Sequence, residues 1–178
     1  SRPIRNSTSQ ARRGLKDLTT AGSDEKCNLC KSLGAHFATN YKSGDDFAQL
    51  VEKETNSRGV DLIVDLVGRN YFHQNMKSAA MDSRMVLVAA LSGSKIDDFD
   101  LRALLNKRIW LMATTLRTRD AAYQGQVRDV FLEKVMPHLT DGEVRVTVDQ
   151  VYSWKDVADA HKRLESNVNA GKIICRVE

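Results

Sequence analysis

The first residues that could do chemistry stand at the end of a short predicted strand. Gly22 and Ser23 close it, and Lys26 follows within one helical turn. In NAD-binding sites a carboxylate at such a strand end holds the adenosine ribose hydroxyls. A small, acid-poor end with a nearby ammonium suits a 2′-phosphate instead, which predicts NADPH. Two alternatives stay open: Lys26 is a solvated residue of the first helical turn, and Asp24 keeps NAD possible.

Tyr41 closes the next predicted strand. Its hydroxyl can donate a hydrogen bond to the same phosphate, and its ring can flank an adenine. The alternative is a half-buried tyrosine that packs at a strand end, and on the sequence alone the two interpretations carry about equal weight.

Three further turns follow predicted strands, two of which are expected to be buried on both faces, and ligands of open α/β sheets bind beyond the carboxyl ends of strands. These turns are therefore placed to line the ribose and nicotinamide of a dinucleotide. The alternative for each is an ordinary strand-to-helix turn. Their residues are Val67 and Gly68, then Ala90, Leu91 and Ser92, then Thr115, Leu116 and Arg117.

The cysteines and histidines indicate no metal site and no catalytic triad. Cys27 and Cys30 fall inside one predicted helix, and no second ligand pair with metal spacing appears, so packing is the favoured interpretation. The histidines are scattered and accompany no nucleophile. We name no catalytic residue.

Composition restricts the class of protein. At 178 residues the chain suits one substantial domain. No stretch approaches the ~20 apolar residues that span a bilayer. Its three cysteines favour a reducing compartment, and we expect a cytoplasmic protein.

Five basic residues and no acid lie in residues 1–16, which leaves 22 basic against 23 acidic residues elsewhere. The near-neutral body counts against nucleic-acid binding.

Short apolar runs alternate with helical patterns from Leu18 onward, which predicts an α/β fold with a parallel sheet. The predicted strands are 18–21, 36–40, 60–67, 84–90, 109–116, 144–148 and 172–177. The predicted helices are 24–33, 45–55, 71–80, 101–106, 119–139 and 154–165. We divide the chain into a basic leader without order (1–17), a Rossmann-type domain (18–140) and a C-terminal strand-helix-strand (141–178).

Several segments, in their order and spacing, resemble the quinone oxidoreductase branch of the zinc-free medium-chain dehydrogenase/reductase family. The resemblance runs from about residue 18 to the end, and is strongest to its tumour-suppressor-inducible subgroup at 116–120 and 160–162. The segments are Thr20-Ala21-Gly22-Ser23-Asp24-Glu25-Lys26, Leu33-Gly34-Ala35, Asn40-Tyr41-Lys42, Gly59-Val60-Asp61-Leu62-Ile63-Val64-Asp65 and Gly171-Lys172-Ile173.

The resemblance implies an enzyme that passes a hydride from NADPH to a small quinone or α,β-unsaturated carbonyl. It implies that Lys26 and Tyr41 bind the 2′-phosphate, that the three turns line the cofactor, and that Asn169 also contacts it. It further implies a homodimer through the edge strand 109–115. The alternative for that strand is an edge covered by the chain's own helix.

The sequence also departs from the family. Gly14 is the only glycine before Gly22, so no G-x-G-x-x-G-like turn precedes the matching region. The first Rossmann strand and the GroES-like domain of the family are absent too. The incomplete sheet is expected to close directly, to keep a gap, or to be marginally stable. The 178-residue chain alone is accordingly expected to be inactive, or to act as a non-catalytic dimerisation or binding module.

Overall fold

The computed structural model describes residues 16–44 and 46–177, so the predicted leader lies almost entirely outside the described residues. The chain forms two units. The continuous unit comprises residues 41–129, and the split unit combines the described parts of 1–40 and 130–178. The predicted boundary at residue 140 stays a prediction.

Seven strands and seven α-helices alternate along the described chain. In order they are β1 (Leu18–Ala21), α1 (Asp24–Ser32), β2 (Phe37–Asn40), α2 (Phe47–Glu54), β3 (Val60–Asp65), α3 (Arg69–Ser78), β4 (Ala79–Leu87), α4 (Arg102–Lys107), β5 (Trp110–Ala113), α5 (Ala121–Lys134), α6 (Met136–Thr140), β6 (Val148–Ser153), α7 (Val157–Glu165) and β7 (Lys172–Arg176).

Every pairing between described strands is parallel. The continuous unit has one sheet of order β3-β4-β5, and the split unit has two pairs, β1-β2 and β6-β7. The α/β class with parallel sheets is therefore confirmed. Among the described strands β1 pairs with β2 in the split unit, and β3 pairs with β4 in the continuous unit. The expected closure of the incomplete sheet stays a prediction.

Two predicted elements are wrong in position. The predicted helix 119–139 is broken at Val135 into α5 and α6, because Pro137 supplies no N–H to the preceding turn and its ring crowds the carbonyl four residues earlier. The predicted strand 144–148 is instead β6, which begins at Val148. Alternating polar and apolar residues do not determine where a strand begins. Here pairing with the parallel strand β7 determines it, because β7 lies opposite residues 148–153.

The other bounds shift by a few residues. The strand predicted at 84–90 is β4, which begins at Ala79 because Ala79 already pairs with Val60. The strands predicted at 60–67 and 109–116 end earlier, at Asp65 and Ala113, and the residues beyond them form turns. No helix of the described chain combines the length and the apolarity that crossing a membrane requires.

The apolar core of the continuous unit lies between α3 and the sheet. It consists of Phe72, Met76 and Met85, and Met85 has no exposed surface. The rings of Phe72 and Phe99 meet edge to face with centroids 4.8 Å apart. This cluster fixes α3 on β4, and with it the turn that enters α3.

Replacing Met85 by alanine should lower the free energy of unfolding of the continuous unit by about 2–5 kcal/mol, because it opens a cavity in this cluster. The control is Met81→Ala on the same strand, since Met81 is 52% exposed. Unfolding in urea is followed by tryptophan fluorescence. Because Trp154→Phe is introduced in every variant, Trp110 is the only fluorescent tryptophan and the signal reports on the continuous unit alone. Equal losses for both variants would contradict the assigned core.

Candidate functional site

The three predicted turns follow β3, β4 and β5 at one edge of the continuous unit, although all four residues of β5 are exposed. Because β3, β4 and β5 are parallel neighbours, their carboxyl ends meet there. The backbone N–H of Thr114 donates to Leu87 O at 3.0 Å, so the turn after β5 begins against the end of β4. The eight predicted residues of these turns therefore follow three neighbouring strand ends, and backbone contacts join the turns after β3 and β4. These residues are Val67, Gly68, Ala90, Leu91, Ser92, Thr115, Leu116 and Arg117.

Hydrogen bonds join the turns after β3 and β4 to each other. Leu91 N donates to Leu66 O at 3.3 Å and Ser92 N to Val67 O at 2.8 Å. The Ser92 hydroxyl donates to Val67 O at 2.8 Å and accepts from Asn70 N at 3.0 Å. Ser92 was predicted as a ligand contact, yet its hydroxyl is already engaged within the protein.

Asp65 is a residue that the sequence analysis missed. It ends β3, is 3% exposed, and its carboxylate accepts from Val67 N at 2.6 Å and from Gly68 N at 3.2 Å. The Asn75 side chain donates to the same carboxylate at 3.1 Å. The available signal was an acidic residue at the end of an otherwise apolar run, since a charge is buried at such a place only when hydrogen bonds compensate it.

The turn after β3 requires glycine at position 68. Gly68 has φ +82°, and a Cβ there would lie 2.8 Å from Gly93 O and 3.0 Å from Ala90 Cα. The two turns therefore approach more closely than any side chain at 68 allows.

The exposed surface of this edge is apolar in part. Leu91 and Leu116 are 69% and 53% exposed. Exposed apolar side chains beside a hydrogen-bonded turn suit one face of an uncharged aromatic ring.

The start of α1, in the split unit, carries the predicted 2′-phosphate residues. The Ser23 hydroxyl caps the helix by accepting from Lys26 N at 3.3 Å. Glu25 has a lowered pKa because its carboxylate accepts from its own backbone N–H and from the Ser23 hydroxyl. Asp24 accepts from the Asn40 side chain at 2.9 Å. The predicted phosphate site therefore contains two carboxylates as well as one ammonium.

The side chain of Lys26 forms a hydrogen bond with the C-terminal segment. Its Nζ donates to Asn167 O at 2.6 Å. The charge of Lys26 also contributes to the lowered pKa of Asp149, whose main cause is the hydrogen bond from Arg163. Lys26 is thus not simply solvated, as one alternative had it.

Asn169, the remaining predicted cofactor residue of the split unit, is buried. Its Nδ2 donates to Gly171 O at 3.0 Å. Its buried Oδ1 has no hydrogen-bond partner among the described residues.

Tyr41 belongs to the continuous unit. Its ring meets Tyr71 edge to face at a centroid distance of 6.2 Å. This contact agrees with the packing interpretation and does not test the phosphate role.

The cysteines lie as the helical interpretation expects. Cys27 and Cys30 are both buried on α1, and burial raises the pKa of each thiol. Within the described chain, His138, Asp141 and Glu143 place ligand atoms within 4.8 Å of one another. Hydrogen bonds account for this group, because His138 Nδ1 lies 2.8 Å from Glu143 Oε2 and Glu143 N donates to Asp141.

Replacing Gly68 by alanine should destabilise the continuous unit by about 1–3 kcal/mol more than Gly44→Ala does. Gly44 is a matched control, because its φ is +84° but no atom lies within 4 Å of a Cβ placed there. The shared positive φ costs about 1–2 kcal/mol in each variant. Urea denaturation measures both, and equal losses would show that the two turns do not approach as described.

Comparison with known proteins gives the family. A family model described as zinc-binding dehydrogenase matches residues 33–175. Quinone oxidoreductase-like protein 2 of Bos taurus is 28% identical over 162 residues, which cover 89% of this chain and 45% of the relative. Quinone oxidoreductase of Rattus norvegicus is 24% identical, with coverages of 90% and 47%. The chain spans about half the length of the curated relatives it matches.

Solved structures agree on the fold. Quinone oxidoreductase of Pseudomonas syringae superposes with a TM-score of 0.77 at 24% identity, covering 94% of this chain and 51% of its own. Escherichia coli quinone oxidoreductase complexed with NADPH gives 0.77 at 22% identity, with coverages of 94% and 52%. The predicted branch is supported, and its subgroup and independence from zinc stay predictions. Since the family model covers most of its length, the chain belongs to the zinc-binding dehydrogenase family, among relatives named quinone oxidoreductases.

Proposed function

We propose that this chain is the cofactor-binding part of an NADPH-dependent oxidoreductase that transfers a hydride to quinones or other α,β-unsaturated carbonyls. The observation that carries the proposal is the convergence of three turns at the carboxyl edge of β3, β4 and β5. Dinucleotides bind at this edge in open α/β sheets. The names of the relatives and the NADPH complex of the Escherichia coli enzyme support the same reaction class.

In this proposal the edge holds the nicotinamide and its ribose. When bound, NADPH supplies the hydride, and the protein positions the ring and excludes water from it. Leu91 and Leu116 offer apolar surface for one face of the ring. The turn between Val67 and Gly68 forms a fixed wall, because its backbone groups are already hydrogen-bonded within the protein.

Lys26 would hold the 2′-phosphate at the other end of the cofactor. Its ammonium fits the charge of that group, and its present acceptor, Asn167 O, is neutral. A phosphate dianion is the stronger acceptor for an ammonium, so it should displace this carbonyl. The carboxylates of Asp24 and Glu25 repel the phosphate, whereas the ammonium of Lys26 attracts it. The preference for NADPH therefore depends on the difference between these two effects.

In the described chain the start of α3, which follows the turn of Val67 and Gly68, has no free N–H groups for the diphosphate. At the start of α3, Arg69 N donates to Gly93 O, Asn70 N to Ser92 Oγ and Tyr71 N to Gly68 O. Anion binding at a helix start depends on free N–H groups. The glycine-rich turn of the family would supply them, and this sequence has no such motif before Gly22.

A second candidate function is a non-catalytic dimerisation module, with β5 as the pairing edge. Trp110, Leu111 and Met112 are 61%, 40% and 39% exposed, and the continuous unit's sheet ends at β5. An exposed apolar edge strand is suited to pair with another strand. A symmetric partner would make the sheet continuous through a homodimer.

The 178-residue chain alone should bind NADPH no better than millimolar and should not oxidise it with a simple quinone. One or two contacts at the adenosine end cannot replace the hydrogen bonds that a glycine-rich turn makes to the diphosphate. A millimolar dissociation constant corresponds to a binding free energy of only about 4 kcal/mol. Calorimetry and NADPH absorbance measure both properties. Micromolar binding would show that another surface replaces the cradle.

Activity should appear in a chimera that joins the N-terminal half of Escherichia coli quinone oxidoreductase to this chain. In that chimera Lys26→Ala should weaken NADPH by ~1–3 kcal/mol and NADH far less, because a charge-assisted bond to the 2′-phosphate is lost. Lys31→Ala, on the exposed last turn of α1, is the control. A chimera that binds NADPH but reduces no quinone would refute the proposed reaction, and equal weakening of both cofactors would refute the role of Lys26.

A further inference from the structure

Asp65 is a charged side chain that no part of the proposed reaction uses directly. Its carboxylate is buried and accepts from two consecutive backbone N–H groups, Val67 and Gly68, and from the Asn75 side chain. Its own carbonyl accepts from Val88 N at 2.8 Å, which joins the end of β3 to the chain leaving β4. One residue thus links the sheet, the turn and α3.

We infer that Asp65 is a positioning residue, which holds the turn of Val67 and Gly68 in the conformation that walls the nicotinamide site. This inference rests on the proposed function, because the turn matters to a ligand only if the edge binds one. Asp65 itself would touch neither cofactor nor substrate, since its carboxylate lies beneath the turn and is occupied by the three donors.

Among the described residues, the N–H groups of Val67 and Gly68 donate only to Asp65, whereas the other hydrogen bonds of the turn are made by its carbonyls. Gly68 adopts φ +82°, so nothing in its own conformational preference selects the observed geometry over others. From the side of β4, Ser92 fixes only the carbonyl of Val67. Bonds to a carboxylate are stronger than bonds between neutral groups. The two amides should therefore lose their orientation when the carboxylate is removed.

Hydrogen exchange of individual amides in the 178-residue chain tests the positioning directly. In Asp65→Ala each amide of Val67 and Gly68 loses its hydrogen bond to the carboxylate. The exchange rates of these two amides, divided by that of the Met85 amide in β4, should therefore rise by about tenfold or more. Asp65→Asn retains an oxygen acceptor and should restore part of the protection. Asn75→Ala removes the third donor but leaves the acceptor, so it is the matched control and should leave the turn protected.

If Asp65→Ala accelerates exchange equally in the turn and in β4, the residue is merely structural and the inference is wrong. It is also wrong if Asn75→Ala deprotects the turn as strongly as Asp65→Ala. If Asp65→Ala does not fold, Asp65→Asn decides: faster exchange confined to Val67 and Gly68 supports the inference, and unchanged exchange there overturns it.

Reduced nicotinamide mononucleotide provides the ligand test, because it contains only the half of the cofactor assigned to this edge. In the wild-type chain it should shift the amide resonances of Leu91 and Thr115 at millimolar concentration. Asp65→Ala should weaken that response by about tenfold or more, and Asn75→Ala by less than about threefold. Equal responses in the two variants would overturn the inference. No response in the wild-type chain would refute the proposed function of the edge, while the exchange data would still decide whether Asp65 orders the turn.

Discussion

The burial of one carboxylate determines the geometry of the candidate site. A charge in a protein interior is tolerated only when donors surround it, and here the donors are two amides of a turn and one side chain of α3. Asp65 thereby couples the end of β3 to the helix that follows. The cluster of Phe72, Met76 and Met85 fixes that helix on the sheet, so the turn is restrained from both ends.

Much of this arrangement could be predicted from sequence. Continuous apolar runs identified the strands. The same runs did not establish burial on both faces, because Leu62 of β3 and all four residues of β5 are exposed. Parallel strands necessarily bring their carboxyl ends to one edge. The turns of Val67, Ala90 and Thr115 follow from that rule. The position of β6 did not, because it depends on pairing with β7, which no local pattern encodes. The break between α5 and α6 could have been predicted from Pro137, whose effect on the preceding turn is local.

The surroundings of Lys26, which we propose to bind the 2′-phosphate, were harder to predict because they depend on contacts distant in sequence. The sequence shows that Lys26 follows an acid-poor strand end and two acidic residues, but it does not show where the ammonium lies. In the structure it reaches Asn167 O, 141 positions away in sequence, and lies near Asp149. Neither long-range contact leaves a periodic or compositional signal. A ligand phosphate must therefore compete with partners that only the fold brings to this lysine.

We propose that the carboxyl edge of β3, β4 and β5 holds the nicotinamide. Photo-crosslinking with an azido-substituted nicotinamide mononucleotide, followed by peptide mapping, tests it most directly in the 178-residue chain. We predict adducts confined to residues 66–69, 90–93 and 114–117, which free nicotinamide mononucleotide suppresses. Adducts concentrated at the start of α1 or around residues 138–143, or labelling that the free nucleotide does not suppress, would contradict the account.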